Sequence, residues 1–200
     1  AKANSRYKSL EIGTSYLFFL DPFKGTDIQG TYYVGGLGYP WRFRVASDGR
    51  FVSEGPRGEP ALAAGSDFDT RAQDDLFAQI AQLVQAEAQK SSATSSTPSA
   101  PSPVSTPAFI AETNTTIIDA IYFHSSEEQV AKAALIVLGT VREQTQVINT
   151  SRDVEDPTKP TRDRFSVGQG YTVDVQKYFK GHAEQAIQVL NHEGAADLLG

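Results

Sequence analysis

The sequence predicts a mainly β protein whose strands close an antiparallel barrel with two flanking helices. Short segments in both halves of the chain alternate apolar and polar residues or form brief apolar runs, which is typical of strands. Helical periodicity with an N-terminal capping signal occurs in only two segments. Neither half has enough strands to close a barrel alone, and an open sheet would leave unpaired edges. We therefore expect one shared interior, formed by Tyr16–Leu20, Phe43, Val45, Leu135–Val141, Val173, Val175 and Val189.

The first part of the chain carries four strand signals. They are an apolar run, a short aromatic segment and the two arms of a hairpin: Tyr16–Leu20, Thr31–Val34, Trp41–Val45 and Phe51–Val52. Asp21-Pro22 is expected to stop the first strand. In the third strand Arg42 and Arg44 alternate with apolar residues, which predicts a half-buried strand. Ser47-Asp48-Gly49 is typical of a hairpin turn.

A helix is predicted after the hairpin. Thr70 and Gln73 fit a capping box, and Asp67 and Asp69 are favourable near the positive end of the helix. One face then collects the apolar residues Leu76, Phe77, Ile80, Leu83 and Val84. This helix is expected to pack on the sheet and to end near Lys90.

The clearest change in composition lies between residues 91 and 108, which read SSATSSTPSAPSPVSTPA. Such a stretch cannot bury enough apolar surface to offset the entropy of ordering it. Ser/Thr/Pro tracts are typical of extended, often O-glycosylated spacers of exported proteins, and a plain flexible linker has the same composition. We predict a tether at 91–108 that separates residues 1–90 from residues 109–200.

The second part begins with a helix and continues as strands. Ser125 and Glu128 form another capping box. The strand signals are Leu135–Val141, Tyr171–Val175 and Ile187–Leu190, with a turn at Lys180-Gly181. Residues 150–168 are polar and contain Pro157 and Pro160, so they are predicted to form a long exposed loop.

Segments of both halves resemble a known bacterial domain. ALIVLGTV, YTVDVQKYFKG and AIQVLNHEG resemble the first half of a surface-protein or lipoprotein domain that is similar to the OB-like barrel of tissue inhibitors of metalloproteinases. IGTSYLFFLDP, GTYYVGG and FRVASDGRFVSE resemble its second half. The resemblance implies a closed OB-like barrel and brings no catalytic residue. Its halves stand here in rotated order, since residues 1–90 match the second half and residues 109–200 the first.

Three explanations of this order remain open. The chain is circularly permuted and folds on itself through the tether, or it is one repeat of a longer array cut in mid-domain. In the third explanation the halves are shared between chains, each completing a barrel with a neighbour. Such a contact is heterologous and does not close, so it produces a head-to-tail filament.

Composition argues against several classes of protein. The net charge is −6 and the 18 Lys and Arg residues are scattered, whereas nucleic-acid-binding proteins present a basic patch. Without cysteine the chain has no disulfide, Fe–S cluster or thiolate zinc site. No apolar run is long enough to span a bilayer. A chain that lacks methionine, including an initial one, is expected to be processed or recorded as a fragment, and we expect an exported, extracellular or cell-surface protein whose signal peptide has been removed.

The residues that could carry chemistry are dispersed. His182 and His192 flank one predicted strand, with Glu184 or Glu193 as conceivable co-ligands, and His124 lies apart. The acidic group Asp67, Asp69, Asp74 and Asp75 lacks the glycine and the terminal glutamate of a calcium-binding loop.

Other motifs lack the context that their chemistry needs. The glycine-rich stretch at residues 33–38 does not open a helix, and Ser102 and Ser105 have no positioned base. Asn114 and Asn149 begin N-glycosylation sequons, and the mixed charges of residues 150–168 suit either a solvated or a partner-binding loop. We therefore predict no catalytic, cofactor-binding or metal-binding residue, no cofactor and no enzymatic activity.

These features favour a non-catalytic extracellular structural module that assembles with copies of itself, head to tail, into a surface filament through complementary half-barrels. The alternative is a monomeric binding or inhibitor-like domain of a bacterial surface lipoprotein with an unknown protein or surface ligand. The metalloproteinase inhibitors act through a cysteine-bearing amino terminus, and this chain has no cysteine. The oligomeric state discriminates between the two hypotheses.

Overall fold

The computed structural model describes residues 9–25, 27–35, 38–39, 41–54, 72–94, 121–122, 125–153, 155–161 and 165–196. Its strands are β1 (Ser15–Phe23), β2 (Tyr32–Gly35), β3 (Gly38–Tyr39), β4 (Arg42–Val45), β5 (Phe51–Ser53), β6 (Ile121–Tyr122), β7 (Leu135–Asn149), β8 (Phe165–Lys180) and β9 (Ala186–Ala196). Its helices are α1 (Gln73–Thr94) and α2 (Ser126–Lys132).

Five of these strands close a barrel within one chain. Around the barrel the order is β1, β2, β9, β8 and β7, and β7 pairs again with β1. The predicted mainly β barrel with two flanking helices is confirmed. Four pairings are antiparallel and β2–β9 is parallel, so the barrel is not wholly antiparallel as predicted. The reason is parity: an odd number of strands cannot alternate in direction all the way round a closed ring.

Strand β1 joins the barrel to a sheet extension. One edge of β1 pairs with β7 from Ser15 to Leu20, and its other edge pairs first with β4 and then with β2. The β4–β5 hairpin extends the sheet outward from this edge. β1 also runs through Asp21-Pro22, so the predicted stop was wrong. Pairing with β7 ends at Leu20, so at Pro22 one edge of β1 has no described partner strand, a position where proline is tolerated.

The apolar residues form two main clusters, one on each face of β1. Tyr16, Phe18 and Leu20 point into the barrel, whereas Leu17 and Phe19 point towards the helices. The barrel cluster also includes Trp41, Leu135, Val137, Val141, Tyr171, Val173, Ile187 and Val189, and the helix-side cluster includes Phe43, Phe51, Leu76, Ile80, Val130, Ile136 and Leu138. The expectation of one shared interior was therefore wrong for the helix-side residues that it included, because a strand that is apolar on both faces contributes side chains to two cores. These residues are Leu17, Phe19, Phe43, Val45, Ile136 and Leu138.

Both predicted helices are present. α1 buries Leu76 and Ile80 as its periodicity predicts, and it continues to Thr94, beyond the predicted end near Lys90. At α2 the Ser125 hydroxyl accepts a hydrogen bond from the Glu128 amide at 3.2 Å, which confirms the predicted cap. The Glu128 carboxylate also accepts a hydrogen bond from the Lys132 ammonium at 2.7 Å, one turn further along the helix.

The region predicted as a long exposed loop is shorter and more structured than expected. β8 begins at Phe165, and Arg152 forms a β-bridge with Pro160. The Asp153 carboxylate accepts hydrogen bonds from the amides of Glu155 and Asp156. Short side chains that cap backbone amides in this way replace the ladder bonds of a strand, which composition alone did not reveal.

Among the described helices, neither α1 nor α2 has the length and hydropathy needed to cross a membrane.

Candidate functional site

The two parts of the chain meet along a seam that completes the barrel. We call β1, β2, β4 and β5 the N-terminal half-barrel and β7, β8 and β9 the C-terminal half-barrel; the seam is the contact between them. Two ladders form it, with six registered residue pairs between β1 and β7 and three between β2 and β9. Of the described barrel strands, two come from one half and three from the other, so closure requires both.

The interior of the seam is apolar. Tyr16, Phe18 and Leu20 of the N-terminal half-barrel share a cluster with Val173 and Val189 of the C-terminal half-barrel, and all five are fully buried. Burying one such side chain typically stabilises a fold by about 1.5–3 kcal/mol. Separating the halves would therefore expose a large apolar surface together with the backbone edges of four strands.

Polar side chains join the halves at the margins of the seam. The hydroxyls of Ser15 and Thr140 lie 2.7 Å apart, and the Gln146 amide donates to the Tyr32 hydroxyl at 2.7 Å. The Arg152 guanidinium donates to Asp27 at 2.8 Å. These contacts are partly or fully accessible to water, so each contributes modestly to stability.

A buried arginine crosses the seam away from water. Arg42 of β4 is 1% exposed, and its Nη1 donates to Oδ1 of Asn191 in β9 at 2.9 Å. Its Nη2 lies 3.1 Å from Oε2 of Glu54, whose Oε1 lies 3.2 Å from Nε of Arg44. We call Arg42, Arg44, Glu54 and Asn191 the Arg42 cluster. Charged groups are buried only where such partners compensate the loss of hydration.

Local sequence explains how the cluster forms. Gly49 has φ +76° in the hairpin turn, and the Ala46 amide donates to the Arg50 carbonyl. The register that follows pairs Phe43 with Ser53, which places Arg42 directly across from Glu54. The hairpin register therefore brings the two opposite charges together, and β9 supplies the amide from across the seam.

Aromatic rings enclose the guanidinium. Its central carbon lies 5.1 Å from the centre of the Trp41 ring and 5.9 Å from that of Tyr16, and cations are attracted to aromatic faces. Trp41 in turn lies against Gly35 at the end of β2, where a Cβ atom would overlap the indole. Glycine at this position allows the ring to cover the arginine.

Burial sets the protonation behaviour of the cluster. Desolvation lowers the pKa of Arg42, and the Glu54 carboxylate opposes this shift. Because arginine starts from a very high pKa, Arg42 stays charged at physiological pH. Desolvation also raises the pKa of Tyr16 to about 12, so this phenol remains neutral beside the cation.

The candidate ligands that the structure describes lie in different elements. His182 is exposed and its ring lies 5.1 Å from that of Tyr178, while His192 lies in β9 opposite Gly168. Asp74 and Asp75 are exposed in the first turn of α1. Within the described residues no group of three or more His, Asp or Glu side chains is arranged to hold a metal. The other residues that the sequence analysis considered, His124, Asp67, Asp69, Ser102, Ser105 and Asn114, lie outside the described residues.

The remaining predicted motifs serve as strand and turn elements. The glycine-rich stretch contributes Gly35 to β2 and Gly38 to β3, and no described helix follows it directly. Asn149 ends β7, and its side-chain oxygen accepts a hydrogen bond from the Ser151 amide. Gly35, Gly38 and Asn149 thus all lie in strands or at strand ends.

Sequence reasoning missed the Arg42 cluster. The alternation of Arg42 with Phe43 predicts which residues share a face, and it was interpreted as a strand with one face in solvent. A usable signal existed in the hairpin, because counting outward from its turn pairs Arg42 with Glu54. Asn191 carried no such signal, since its approach depends on the closure of the barrel.

Two open grooves border the seam. One of about 480 Å³ lies beside the start of β9 and is lined by Gly30, Thr31, Tyr33, Ala183, Glu184, Ala186, Ile187 and Gln188. The other, of about 420 Å³, lies against the end of β7 and is lined by Asp27, Ile28, Gln29, Gln146, Val147, Ile148 and Asn149. Each is formed by residues from both parts of the chain.

Comparison with protein-family models, curated proteins and solved structures found no match. The resemblance to the barrel of the metalloproteinase inhibitors stays a prediction.

Proposed function

We propose that this chain is a non-catalytic structural module of the cell surface that assembles head to tail. In the assembly each barrel combines the N-terminal half-barrel of one chain with the C-terminal half-barrel of the next. The observation that carries this proposal is the seam: two noncovalent ladders and one apolar cluster join segments that are distant in sequence. A neighbouring chain could supply every one of these contacts unchanged.

The tether decides between closure within a chain and exchange between chains. In the structure one chain supplies both halves of the barrel. A flexible connection, which the composition of residues 91–108 predicts, would hold the two halves at an effective concentration in the millimolar range and favour closure within the chain in dilute solution. Exchange therefore requires a high local concentration, such as that of chains delivered to one site on a surface.

Exchange would give a durable contact. Opening a shared barrel exposes the fully buried Tyr16, Phe18 and Leu20 and leaves strand edges without partners. Because the joined surfaces differ, the contact is heterologous and each added chain offers another free half. The product is a filament.

The polar side chains at the seam support a structural role for the protein. Arg42 bonds to Asn191 and pairs with Glu54, and Ser15 bonds to Thr140. These side chains are used to join strands.

Mixing two full-length variants tests exchange. Phe18→Asp places a charge in the interior of the N-terminal half-barrel, and Val173→Asp does the same in the C-terminal half-barrel, so neither chain should fold alone. The two are unfolded together and refolded at equal concentration. The single tryptophan, Trp41, is buried in the barrel and reports folding by its fluorescence. We expect the mixture to regain native emission in a complex of two chains.

The matched control mixes Phe18→Asp with Leu20→Asp. Both changes damage the same half, so no intact N-terminal half-barrel is present and the mixture should stay unfolded. If the Phe18→Asp and Val173→Asp mixture behaves like this control, half-barrels do not exchange between chains and the proposal fails.

A monomeric binding domain is the second candidate. Two observations favour it: one chain closes the barrel by itself, and an open groove of about 480 Å³ containing Tyr33, Glu184 and Gln188 borders β9. Grooves of this size accommodate small ligands. Failure of the mixing experiment together with a monomer at all concentrations would support this candidate.

A further inference from the structure

We infer that the Arg42 cluster is the specificity determinant of the seam, which selects the half-barrel that pairs and its register. Where it concerns pairing between chains, the inference rests on the proposed function; within one chain it holds for closure of the barrel. The partner that fits is a second copy of this chain, because its last strand presents an amide oxygen to the buried cation.

The geometry makes the cluster a contact between halves. Arg42 and Glu54 belong to the N-terminal half-barrel, while Asn191 belongs to the C-terminal half-barrel. Arg42 and Asn191 are 1% and 0% exposed, and their atoms lie 2.9 Å apart. Water therefore does not replace the Asn191 oxygen when a wrong strand occupies the position of β9.

The charges of the cluster require a further acceptor. Glu54 lies between two cations, with one oxygen 3.1 Å from Arg42 and the other 3.2 Å from Arg44. One carboxylate thus serves two guanidinium groups, and Arg42 donates in addition from Nη1 to Asn191. An amide supplies an acceptor without adding a buried charge.

A shift in register would break this contact. Asn191 follows Leu190, which pairs with Val34 in the parallel ladder between β2 and β9. A slip of β9 by one residue would bring Leu190 to the position of Asn191 and turn Val189 out of the interior. Leucine has no acceptor for the buried cation, so the slipped barrel is penalised at the cluster as well as in the core. Buried polar groups fix register in this way in coiled coils.

A double-mutant cycle in the intact chain tests the inference. Arg42→Met removes the guanidinium from Asn191 and from one Glu54 oxygen, and Asn191→Leu removes the acceptor of Arg42 Nη1. Each change is expected to lower the folding equilibrium constant at least tenfold. In the double variant both polar groups are gone and Glu54 retains Arg44. We expect its folding equilibrium constant to be at least tenfold larger than the value obtained by multiplying the effects of the two single changes. Independent effects of the two changes would overturn the inference.

The control pair is Ser15→Ala and Thr140→Ala, which removes a hydrogen bond at the margin of the seam. Its coupling is expected to stay below about threefold, because water can replace the lost partner. Coupling as strong as that of Arg42 and Asn191 would mean that any seam contact behaves alike, and this too would overturn the inference.

Selectivity distinguishes a specificity role from a purely structural one. In the mixing experiment the Val173→Asp chain supplies the N-terminal half-barrel and the Phe18→Asp chain the C-terminal half-barrel. When the Val173→Asp chain also carries Arg42→Met, we expect it to pair at least tenfold more with an Asn191→Leu partner than with a partner that retains Asn191. When it retains Arg42, we expect it to prefer the partner that retains Asn191 by a similar factor. Equal pairing of matched and mismatched halves would overturn the inference and leave the proposed function standing. Coupling in the intact chain without any exchange would sustain the inference within the chain and refute the proposed function.

Discussion

At the scale of single residues, the position of Trp41 depends on the glycine that it covers. A Cβ atom at Gly35 would overlap the indole ring. We expect Gly35→Ala to destabilise the protein by about 1–3 kcal/mol, because a well-packed site accepts an added methyl group only by displacing its neighbours. Chemical unfolding measures the change.

The control for this prediction removes the ring. In a Trp41→Leu background the added methyl group meets a smaller side chain, so Gly35→Ala should cost less than half as much. An equal cost in both backgrounds would show that the backbone at Gly35, and not the indole, sets the requirement for glycine.

Tyr16 links the barrel interior to the pH of the solution. Its pKa is raised to about 12 by burial, above the ordinary value of 10.0. The folded state therefore holds the proton more tightly than the unfolded state, so the stabilisation is complete below pH 10 and is lost as the pH rises from 10 to 12. We expect Tyr16→Phe to weaken the decline of stability across this range. Unfolding curves that keep the same slope against pH in the variant would contradict this assignment.

At the scale of elements, one lysine connects both helices to the barrel. The Lys180 ammonium at the end of β8 donates to the Val130 and Ala131 carbonyls of α2 and to the Glu87 carboxylate of α1. We expect Lys180→Met to cost about 1–3 kcal/mol, since it removes charge-assisted bonds from a partly buried site. Thermal unfolding checks this value.

The matched control is Lys132→Met. It removes an exposed pair with Glu128 on the surface of α2, and such pairs contribute about 0.3–0.5 kcal/mol. If the two lysine variants have the same stability, Lys180 does not anchor the helices.

Much of the element pattern could be predicted from sequence. The runs at 16–20 and 135–141, the hairpin turn at 47–49 and the apolar face of the first helix all lie where their periodicity indicates. Local patterns succeed here because burial on one or both faces dictates the choice of side chain. Local patterns failed at Pro22, because β1 continues there through its pairing with β2 after its pairing with β7 has ended.

The seam could be predicted only in outline. Incomplete halves indicated that both must contribute to one barrel, and the structure has that arrangement. The burial of Arg42 was not predicted, because alternation defines two faces without saying what covers the second. Asn191 was missed for a related reason: it meets Arg42 across 149 residues of sequence, and only the tertiary fold determines that encounter.

At the scale of the whole molecule, the barrel is closed by strands from two parts of the chain that are distant in sequence. Its strand ladders and apolar cluster determine how the halves fit, and we propose that the connection between the halves determines which copies pair. The proposed function therefore predicts a monomer in dilute solution and a filament at high concentration. The ratio of these forms should change with concentration and with the length of the predicted tether beyond Thr94, where α1 ends.

A disulfide across the seam tests this account most directly. The chain has no cysteine, and the hydroxyls of Ser15 and Thr140 lie 2.7 Å apart across β1 and β7, so Ser15→Cys and Thr140→Cys place two thiols within bonding distance. The variant is refolded at micromolar and at the highest soluble concentration, oxidised, and separated by denaturing electrophoresis without reductant. We expect internally bonded monomers at low concentration and a ladder of covalently linked chains at high concentration. Internally bonded monomers at both concentrations would contradict the exchange of half-barrels.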